Sequence, residues 1–175
     1  MKKLFAFAML ASVLMISTQA TAQDQDKSKR PSPPAKVAVK LASGANISID
    51  YSKPSVKGRT IGKDLEPMEG QVWRTGANEA TVFETDKDVT VQGEKLPAGK
   101  YALFTIFNGN DVTLIFSKTW KQWGAYTYKM ADDVLRVKAT ATTANPAAET
   151  LNFIVSDAGN VDMVWGNKKV DFQVK

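Results

Sequence analysis

The feature that most constrains the fold is the alternation of apolar and polar side chains that begins near residue 36. In ANISIDYS, residues 45–52, every second residue is apolar, and Asn46, Ser48 and Asp50 fall between them. Side chains of a β-strand point alternately to its two faces, so this period of two is typical of a half-buried strand. Similar short stretches, separated by turn residues, continue to the C-terminus, and none after residue 22 has convincing helical spacing.

The number and spacing of these stretches indicate an antiparallel arrangement. The last third of the chain reads as three strands joined by turns at residues 157–160 and at Gly166-Asn167. Tight turns connect neighbouring antiparallel strands, whereas parallel strands need long crossovers. We therefore predict an all-β fold, an antiparallel β-sandwich or jelly-roll-like barrel of about nine to ten short strands, after a cleaved signal peptide.

One stretch, GKYALFTIF at residues 99–107, is apolar on both faces. A strand that is apolar on both faces belongs in the middle of a sheet that is covered on both sides. We expect Leu103 to be buried on one face of this strand, and Phe104 and Ile106 to be buried on the other.

The N-terminus predicts export. Lys2 and Lys3 precede an apolar run at residues 4–16, and the small residues Ala20-Thr21-Ala22 follow. This order is typical of a secretory signal peptide, here residues 1–22, cleaved before Gln23. A retained membrane anchor is the alternative, but the apolar run is short for a bilayer span. We therefore expect a periplasmic or secreted protein without a membrane span in its mature chain.

The rest of the chain divides into two parts. Residues 23–35, QDQDKSKRPSPPA, are polar and proline-rich, and this composition predicts a flexible leader. Residues 36–175 are predicted to form a single β domain, since about 150 residues after cleavage suffice for one core.

The absence of cysteine and histidine limits the chemistry of the chain. It excludes disulfides, thiolate catalysis, Ser-His-Asp catalysis and zinc sites that use either residue. Asp157, Asn160 and Asp162 lack the full spacing of a calcium loop. We therefore expect no metal and no cofactor, and any enzyme activity would have to use carboxylates, lysine, tyrosine, serine or threonine.

The charge of the chain is mild. The formal net charge is +5, and removal of Lys2 and Lys3 lowers it to +3. Much of the remainder lies in KSKR, residues 27–30, beside prolines. A short basic run of this kind is typical of a solvated tail, so we expect no nucleic-acid partner.

Two long blocks carry a resemblance to a known family. The blocks are WRTGANEAT at residues 73–81 and LPAGKYALFTI at residues 96–106, and WGAYTY and DVLRVK extend the match. With these blocks the chain resembles an exported bacterial family catalogued as domain of unknown function 2911. The resemblance implies one mostly β, export-associated domain, and it brings no established activity, substrate or catalytic residue.

The first candidate site lies in VWRTGANEAT. Arginine matches carboxylates with a planar fork, so Arg74 and Glu79 are predicted to pair and to fix a corner at Gly76-Ala77. Alternatively, Arg59, Arg74, Asn78 and Glu79 line a pocket for a carboxylate or phosphate ligand. The long irregular stretches at residues 52–71 and 118–133 are where such a site is expected, because long connections in compact domains are often functional.

The second candidate site is aromatic. TWKQWGAYTY contains Trp123 and Tyr126 among polar neighbours. Such side chains either stack on sugar rings or fold inward to cover the core.

These features support three hypotheses for function. The first is a non-enzymatic binding module for a small molecule, a glycan or an envelope-protein partner. The second is a carboxylate-based, glycosidase-like hydrolase, although no spacing in the sequence establishes the required pair of acids. The third is a purely structural envelope module.

Export gives a direct test. N-terminal sequencing of the protein recovered from the periplasm or the culture medium should begin at Gln23, because signal peptidase cuts after small residues. Recovery of the chain with Met1 intact would contradict export.

Overall fold

The computed structural model describes residues 26–175; the predicted signal peptide and the first residues of the predicted leader lie outside this part. No helix of the described residues is long and apolar enough to cross a bilayer. Two short 3₁₀ turns span Lys27–Lys29 and Met130–Asp132. The nine strands are β1 (Pro34–Lys40), β2 (Asn46–Ser52), β3 (Thr81–Thr85), β4 (Val89–Val91), β5 (Glu94–Leu96), β6 (Gly99–Asn108), β7 (Asp111–Ser117), β8 (Asp133–Val155) and β9 (Asn160–Gln173).

The strands form one large antiparallel sheet and one hairpin. The large sheet has seven strands in the order β1-β2-β3-β6-β7-β8-β9, and β4 and β5 form the separate hairpin between β3 and β6. Nearly every strand of the large sheet therefore pairs with its neighbour in sequence, as tight turns predict. The expected all-β antiparallel fold is confirmed. The predicted turn at Gly166-Asn167 is wrong, because β9 continues through both residues as a single strand.

The large sheet curls until its two ends meet. The second half of β8 returns to the residues that follow β2: the Leu151 amide donates to the Pro54 carbonyl at 3.1 Å, and the Val56 amide donates to the Glu149 carbonyl at 2.8 Å. The Tyr51 hydroxyl also bonds Asn152 Oδ1 at 3.1 Å. A curled sheet joined in this way is compatible with the predicted sandwich or barrel.

The inside of the curled sheet holds the main core. Phe83 and Phe116 meet edge to face with ring centroids 5.2 Å apart, and Tyr51 and Phe153 do the same at 4.8 Å. Aromatic pairs prefer this geometry. The largest fully buried side chains of this core are Trp73, Phe83, Phe116, Ile49, Leu96, Leu103, Leu114, Leu151, Val91 and Val112.

Strand β6 is buried on both faces, as predicted. Leu103 is fully buried in the main core, whereas Phe104 is fully buried in a second, smaller cluster on the outside of the sheet, with Ala80 and Ile115. Ile106 differs from the expectation, because it packs against this outer cluster but is only partly buried.

A covering segment, residues 118–130, lies on the outer cluster. Its Tyr128 ring packs against Phe104 at 5.1 Å, and its Ala125 also contacts the cluster. The second face of β6 is therefore shielded by an irregular segment instead of a second sheet, and this segment becomes part of the candidate site.

The burial of β6 predicts the effect of truncating its side chains. Leu103→Ala should lower the free energy of unfolding by about 2–5 kcal/mol, because it removes buried methyl groups and leaves a cavity. Chemical denaturation followed by circular dichroism measures this change. As the matched control, Ile154→Ala on β8, where the side chain is 53 % exposed, should change stability by about 0.5 kcal/mol or less. Equal effects of the two substitutions would contradict a buried β6.

Candidate functional site

The stretch at residues 73–81 forms a rigid corner beside β6. The Trp73 and Thr105 backbones exchange hydrogen bonds of 2.8 and 2.9 Å, and Trp73 Nε1 donates to the Gly76 carbonyl at 3.0 Å. Thr75 is fully buried with a left-handed φ of 55°, which a β-branched residue rarely adopts. Its carbonyl accepts a 2.8 Å hydrogen bond from the Thr81 hydroxyl. These bonds hold the strained turn in place.

The Glu79 side chain points away from this corner and pairs with a residue other than the expected Arg74. Arg30 Nη1 donates to both carboxylate oxygens of Glu79, at 3.1 and 2.9 Å, and Lys27 Nζ lies 3.4 Å from Oε1. The expected Arg74–Glu79 pair is not formed. Arg74 Nε is buried without a hydrogen-bond partner in residues 26–175. Sequence proximity favoured Arg74, but the corner turns the Glu79 side chain towards the N-terminal segment.

The N-terminal segment, residues 26–33, crosses this corner, and we name it the strap. Its Ser32 carbonyl accepts a 2.9 Å hydrogen bond from Asn78 Nδ2, and the Arg30 guanidinium lies 5.8 Å from the Trp123 ring centroid. The Arg30 side chain is only 24 % exposed, so the basic run is not wholly a solvated tail. Strand β1 begins at Pro34, just before the expected domain boundary at residue 36.

The strap changes the acidity of Glu79. Partial burial alone raises the pKa of Glu79, but hydrogen bonds from its own backbone amide, from Arg30 and from Lys27, together with the charge of Arg30, outweigh burial. The net pKa lies below the ordinary value, because each of these partners favours the charged carboxylate. Glu79 is therefore an ionised carboxylate at neutral pH.

The covering segment faces the strap across a cleft. The Ala80 amide donates to the Gln122 carbonyl, and the Gly124 amide donates to the Asn78 carbonyl, both at 3.0 Å. These two bonds attach the covering segment to the corner. They bring Trp123 next to Glu79 although the two residues are far apart in sequence.

Tyr128 fixes the other end of the covering segment. Its hydroxyl donates to Asp133 Oδ2 at 2.6 Å, and the same oxygen accepts a 2.7 Å hydrogen bond from Arg136 Nε. Arg136 also donates to the Tyr128 hydroxyl. Burial, the hydrogen bond to Asp133 and the Asp133 charge raise the pKa of Tyr128 to about 12, against the opposing effect of Arg136. The Tyr128 phenol therefore stays neutral at every ordinary pH, and its hydrogen bonds hold this end of the covering segment.

The strap, β1, β2 and the covering segment enclose a cleft of about 480 Å³. Trp120 is 37 % exposed and Trp123 is 55 % exposed in its wall. The charged and amide side chains in the lining are Lys27, Arg30, Asp50, Glu79, Lys121 and Gln122. Two depressions on the β8–β9 side have slightly larger volumes, 530 and 570 Å³, but neither is lined by an exposed aromatic residue.

The structure brings only part of the expected site together. Glu79 and Trp123 line the cleft, and Asn78 supports it by holding the strap. Arg74 and Tyr126 lie outside the lining, and Tyr126 is 85 % exposed. Aromatic and charged side chains therefore share one cleft. In this cleft Arg30, and not Arg74, is the arginine that pairs with Glu79.

Arg59 lies in a different place. Its Nη2 donates to the Ser55 carbonyl at 2.7 Å and its Nε to the Val56 carbonyl at 3.2 Å. It lines a separate shallow depression with Glu149 and Gly166. The irregular stretch that carries Arg59 thus serves the closure of the sheet, and not the cleft.

Several cleft residues were missed from the sequence. Arg30 and Lys27 lie in a segment with the composition of a leader, and Arg30 is separated from Glu79 by 49 residues. Gln122 contributes to the corner through its backbone carbonyl, for which no side-chain signal exists. Trp120 was not missed, because it lies in the aromatic block TWKQWGAYTY that the sequence already indicated as a stacking surface.

The cleft offers stacking surfaces, ionic groups and amide groups. Its second acid, Asp50, is paired with Lys36 Nζ at 2.8 Å, so both cleft carboxylates have a cationic partner. Among residues 26–175 no group of three or more carboxylates is placed to hold a metal ion. This arrangement suits non-covalent recognition.

The contact between the strap and Glu79 can be measured by a double-mutant cycle. Arg30→Ala and Glu79→Ala should be non-additive, with a coupling free energy of about 0.2–1 kcal/mol, as for partly exposed ion pairs. Chemical denaturation of the four proteins gives the coupling. The cycle of Arg74→Ala with Glu79→Ala is the control and should be additive, because these two side chains do not pair. Coupling in the control cycle alone would contradict the observed pairing.

The same coupling should depend on pH. The pKa of Glu79 is lower in the folded than in the unfolded chain. Its contribution is therefore complete above the unfolded pKa of about 4.3 and is lost as the pH falls through the folded pKa. The cycle repeated in acid should show a vanishing coupling; a coupling that grows in acid would contradict the lowered pKa.

Comparison with known proteins gives a family without an assigned activity. No curated protein and no solved structure matches the chain significantly. The family model described as "Protein of unknown function (DUF2911)" matches residues 32–174, which include the corner, the covering segment and all nine strands of the described residues. This match confirms the expected family, and the chain belongs to the DUF2911 family.

Proposed function

We propose that the protein is an exported, non-enzymatic binding module and that its cleft holds a saccharide or a similarly polar small molecule. The observation that carries the proposal is the placement of two partly exposed indoles, Trp120 and Trp123, in one cleft with ionic and amide groups. Export rests on the N-terminal sequence.

The chemistry of the cleft matches that of a sugar. A pyranose has apolar C–H faces and a rim of hydroxyl groups, so it combines stacking on an indole with hydrogen bonds at its edge. Trp120 and Trp123 supply the stacking surfaces, and Lys121, Gln122 and Asp50 supply donors and acceptors. Ligand sites commonly combine apolar walls with a few placed polar groups.

The walls of the cleft are held before any ligand arrives. The bonds from Ala80 to Gln122 and from Arg30 to Glu79 attach the covering segment and the strap to the same corner. Walls that are already ordered lose little conformational entropy on binding. This supports a recognition site in preference to a purely structural module, which would not need exposed indoles.

The alternative is a glycosidase-like hydrolase, because Glu79 and Asp50 line the same cleft. Such enzymes need one protonated carboxyl as general acid, usually with a raised pKa. The pKa of Glu79 is lowered instead, and Asp50 is paired with Lys36. The electrostatics therefore favour binding over hydrolysis.

The binding proposal is tested by calorimetric titration with neutral and acidic oligosaccharides. Trp120→Ala should weaken the binding of an accepted oligosaccharide about tenfold or more, a loss of about 1.4 kcal/mol, because one stacking surface is removed. Ile154→Ala, on the far strand β8, is the control and should bind normally. Absence of binding to every oligosaccharide, or unchanged binding by Trp120→Ala, would contradict the proposal.

The hydrolase alternative has its own readout. Mass spectrometry of the same oligosaccharides after prolonged incubation should show no cleavage products. Cleavage products that form with the unchanged protein and are absent with the Glu79→Gln variant would contradict the binding module and support the hydrolase.

A further inference from the structure

The covering segment exposes an unusual amount of apolar surface, part of it in the cleft and part at Tyr126 and Met130, on what we name its outward side. The described residues contain six large hydrophobic side chains that are exposed, and four of them lie on this one segment. Tyr126 is 85 % exposed, Met130 68 % and Trp123 55 %. Clustered exposure of this kind marks interaction sites, whereas single exposed apolar residues need no explanation.

This exposure does not come from a loose loop. The Lys118 amide donates to the Asp132 carbonyl at 3.0 Å, which closes the base of the segment. Tyr128 and Ala125 point to the outer cluster of the sheet and anchor the middle. The segment therefore already has a buried apolar side, and Tyr126 and Met130 form a second apolar side towards solvent.

The charged residues within the covering segment itself have one sign. Residues 118–130 contain three lysines, Lys118, Lys121 and Lys129, and no aspartate or glutamate. Lys118 lies 3.5 Å from Asp132 just beyond the segment, while Lys121 and Lys129 form no ion pair within residues 26–175. A partner for this side must therefore offer negative charge next to an apolar layer.

We propose that the outward side of the covering segment docks on the surface of an anionic lipid bilayer. Tyrosine and tryptophan prefer the headgroup level of a bilayer. There the ring contacts apolar lipid and its polar edge contacts water. Tyr126, Trp123 and Met130 enter that level, and Lys121 and Lys129 contact the anionic headgroups. Lysines near such a surface add electrostatic attraction that salt screens.

A bilayer fits this side better than a protein does. Lysine is depleted in protein–protein interfaces, and their rims usually pair charges of both signs. Here lysines flank the aromatic residues without acids between them.

The docking side and the cleft can be tested independently. Tyr126, Met130 and Lys129 do not line the cleft, whereas Lys121 and Trp123 do. Variants of Tyr126 and Met130 therefore report on bilayer docking alone. Failure of bilayer docking leaves the proposed oligosaccharide binding untouched, and the reverse also holds.

The experiment is sedimentation of the chain from Gln23 with two kinds of vesicle. One contains equal amounts of phosphatidylcholine and phosphatidylglycerol, and the other contains phosphatidylcholine only. We expect association with the first kind at low salt, weakened by high salt and at least about fivefold weaker with the second kind, because the lysines need anionic headgroups. Acyl-brominated lipids should quench part of the tryptophan fluorescence, which reports contact with the lipid chains.

Variants connect this association with the covering segment. The double variant Tyr126→Ser/Met130→Ser and the single variant Lys129→Gln, none of which changes the cleft lining, should each weaken association about fivefold or more. Ile154→Ser and Lys95→Gln are matched controls, an exposed apolar residue and an exposed lysine elsewhere, and should associate normally. Circular dichroism verifies that all variants are folded.

The vesicle experiments can overturn the proposal in three ways. These are no association with the anionic vesicles at low salt, equal association with both kinds of vesicle, and association that the Tyr126→Ser/Met130→Ser and Lys129→Gln variants leave unchanged. The quenching experiment adds a fourth. Association that survives without quenching by brominated lipids would show purely electrostatic adsorption, which also contradicts insertion of the aromatic residues.

Discussion

Strand β6 has no face towards solvent, and the rest of the structure can be understood from that constraint. Its inner face supplies Leu103 to the main core, so the sheet must curl around it. Its outer face supplies Phe104, which needs a separate cover. The chain provides this cover with an irregular segment, and an irregular segment can expose side chains in ways that a second sheet cannot. The cleft and the docking side both follow from the way in which β6 is shielded.

The strap and Glu79 show how a charged group can organise a surface without a large contribution to stability. The Arg30 guanidinium engages both oxygens of Glu79 and lies near the Trp123 ring. An arginine makes such simultaneous contacts because its planar group has several donors and an extended face. The interaction positions one wall of the cleft against the other. The ion pair therefore serves to position the walls of the cleft. It adds little to the free energy of unfolding, because ion pairs that water can reach are weak.

Most strands could be predicted from the sequence, whereas most contacts of the cleft could not. Alternation identified β2, where Ile47 and Ile49 are buried as expected, and two-sided apolarity identified β6. These patterns depend only on neighbouring residues. The Arg30–Glu79 contact depends on the path of the whole chain, and nothing in the composition of the leader indicates it. The irregular segment at residues 118–133 did supply part of the cleft, whereas the stretch at residues 52–71 instead joins the two ends of the sheet.

That joining has a consequence for the order in which the molecule can form. The backbone bonds between residues 54–56 and 149–151 connect segments that lie almost a hundred residues apart. Contacts of such long sequence separation are slow to form, because a long loop must be closed before they stabilise the chain. Hairpins of neighbouring strands, such as β6 and β7, need no such loop and can form first. Closure of the sheet is therefore expected to be a late step that limits the rate of folding.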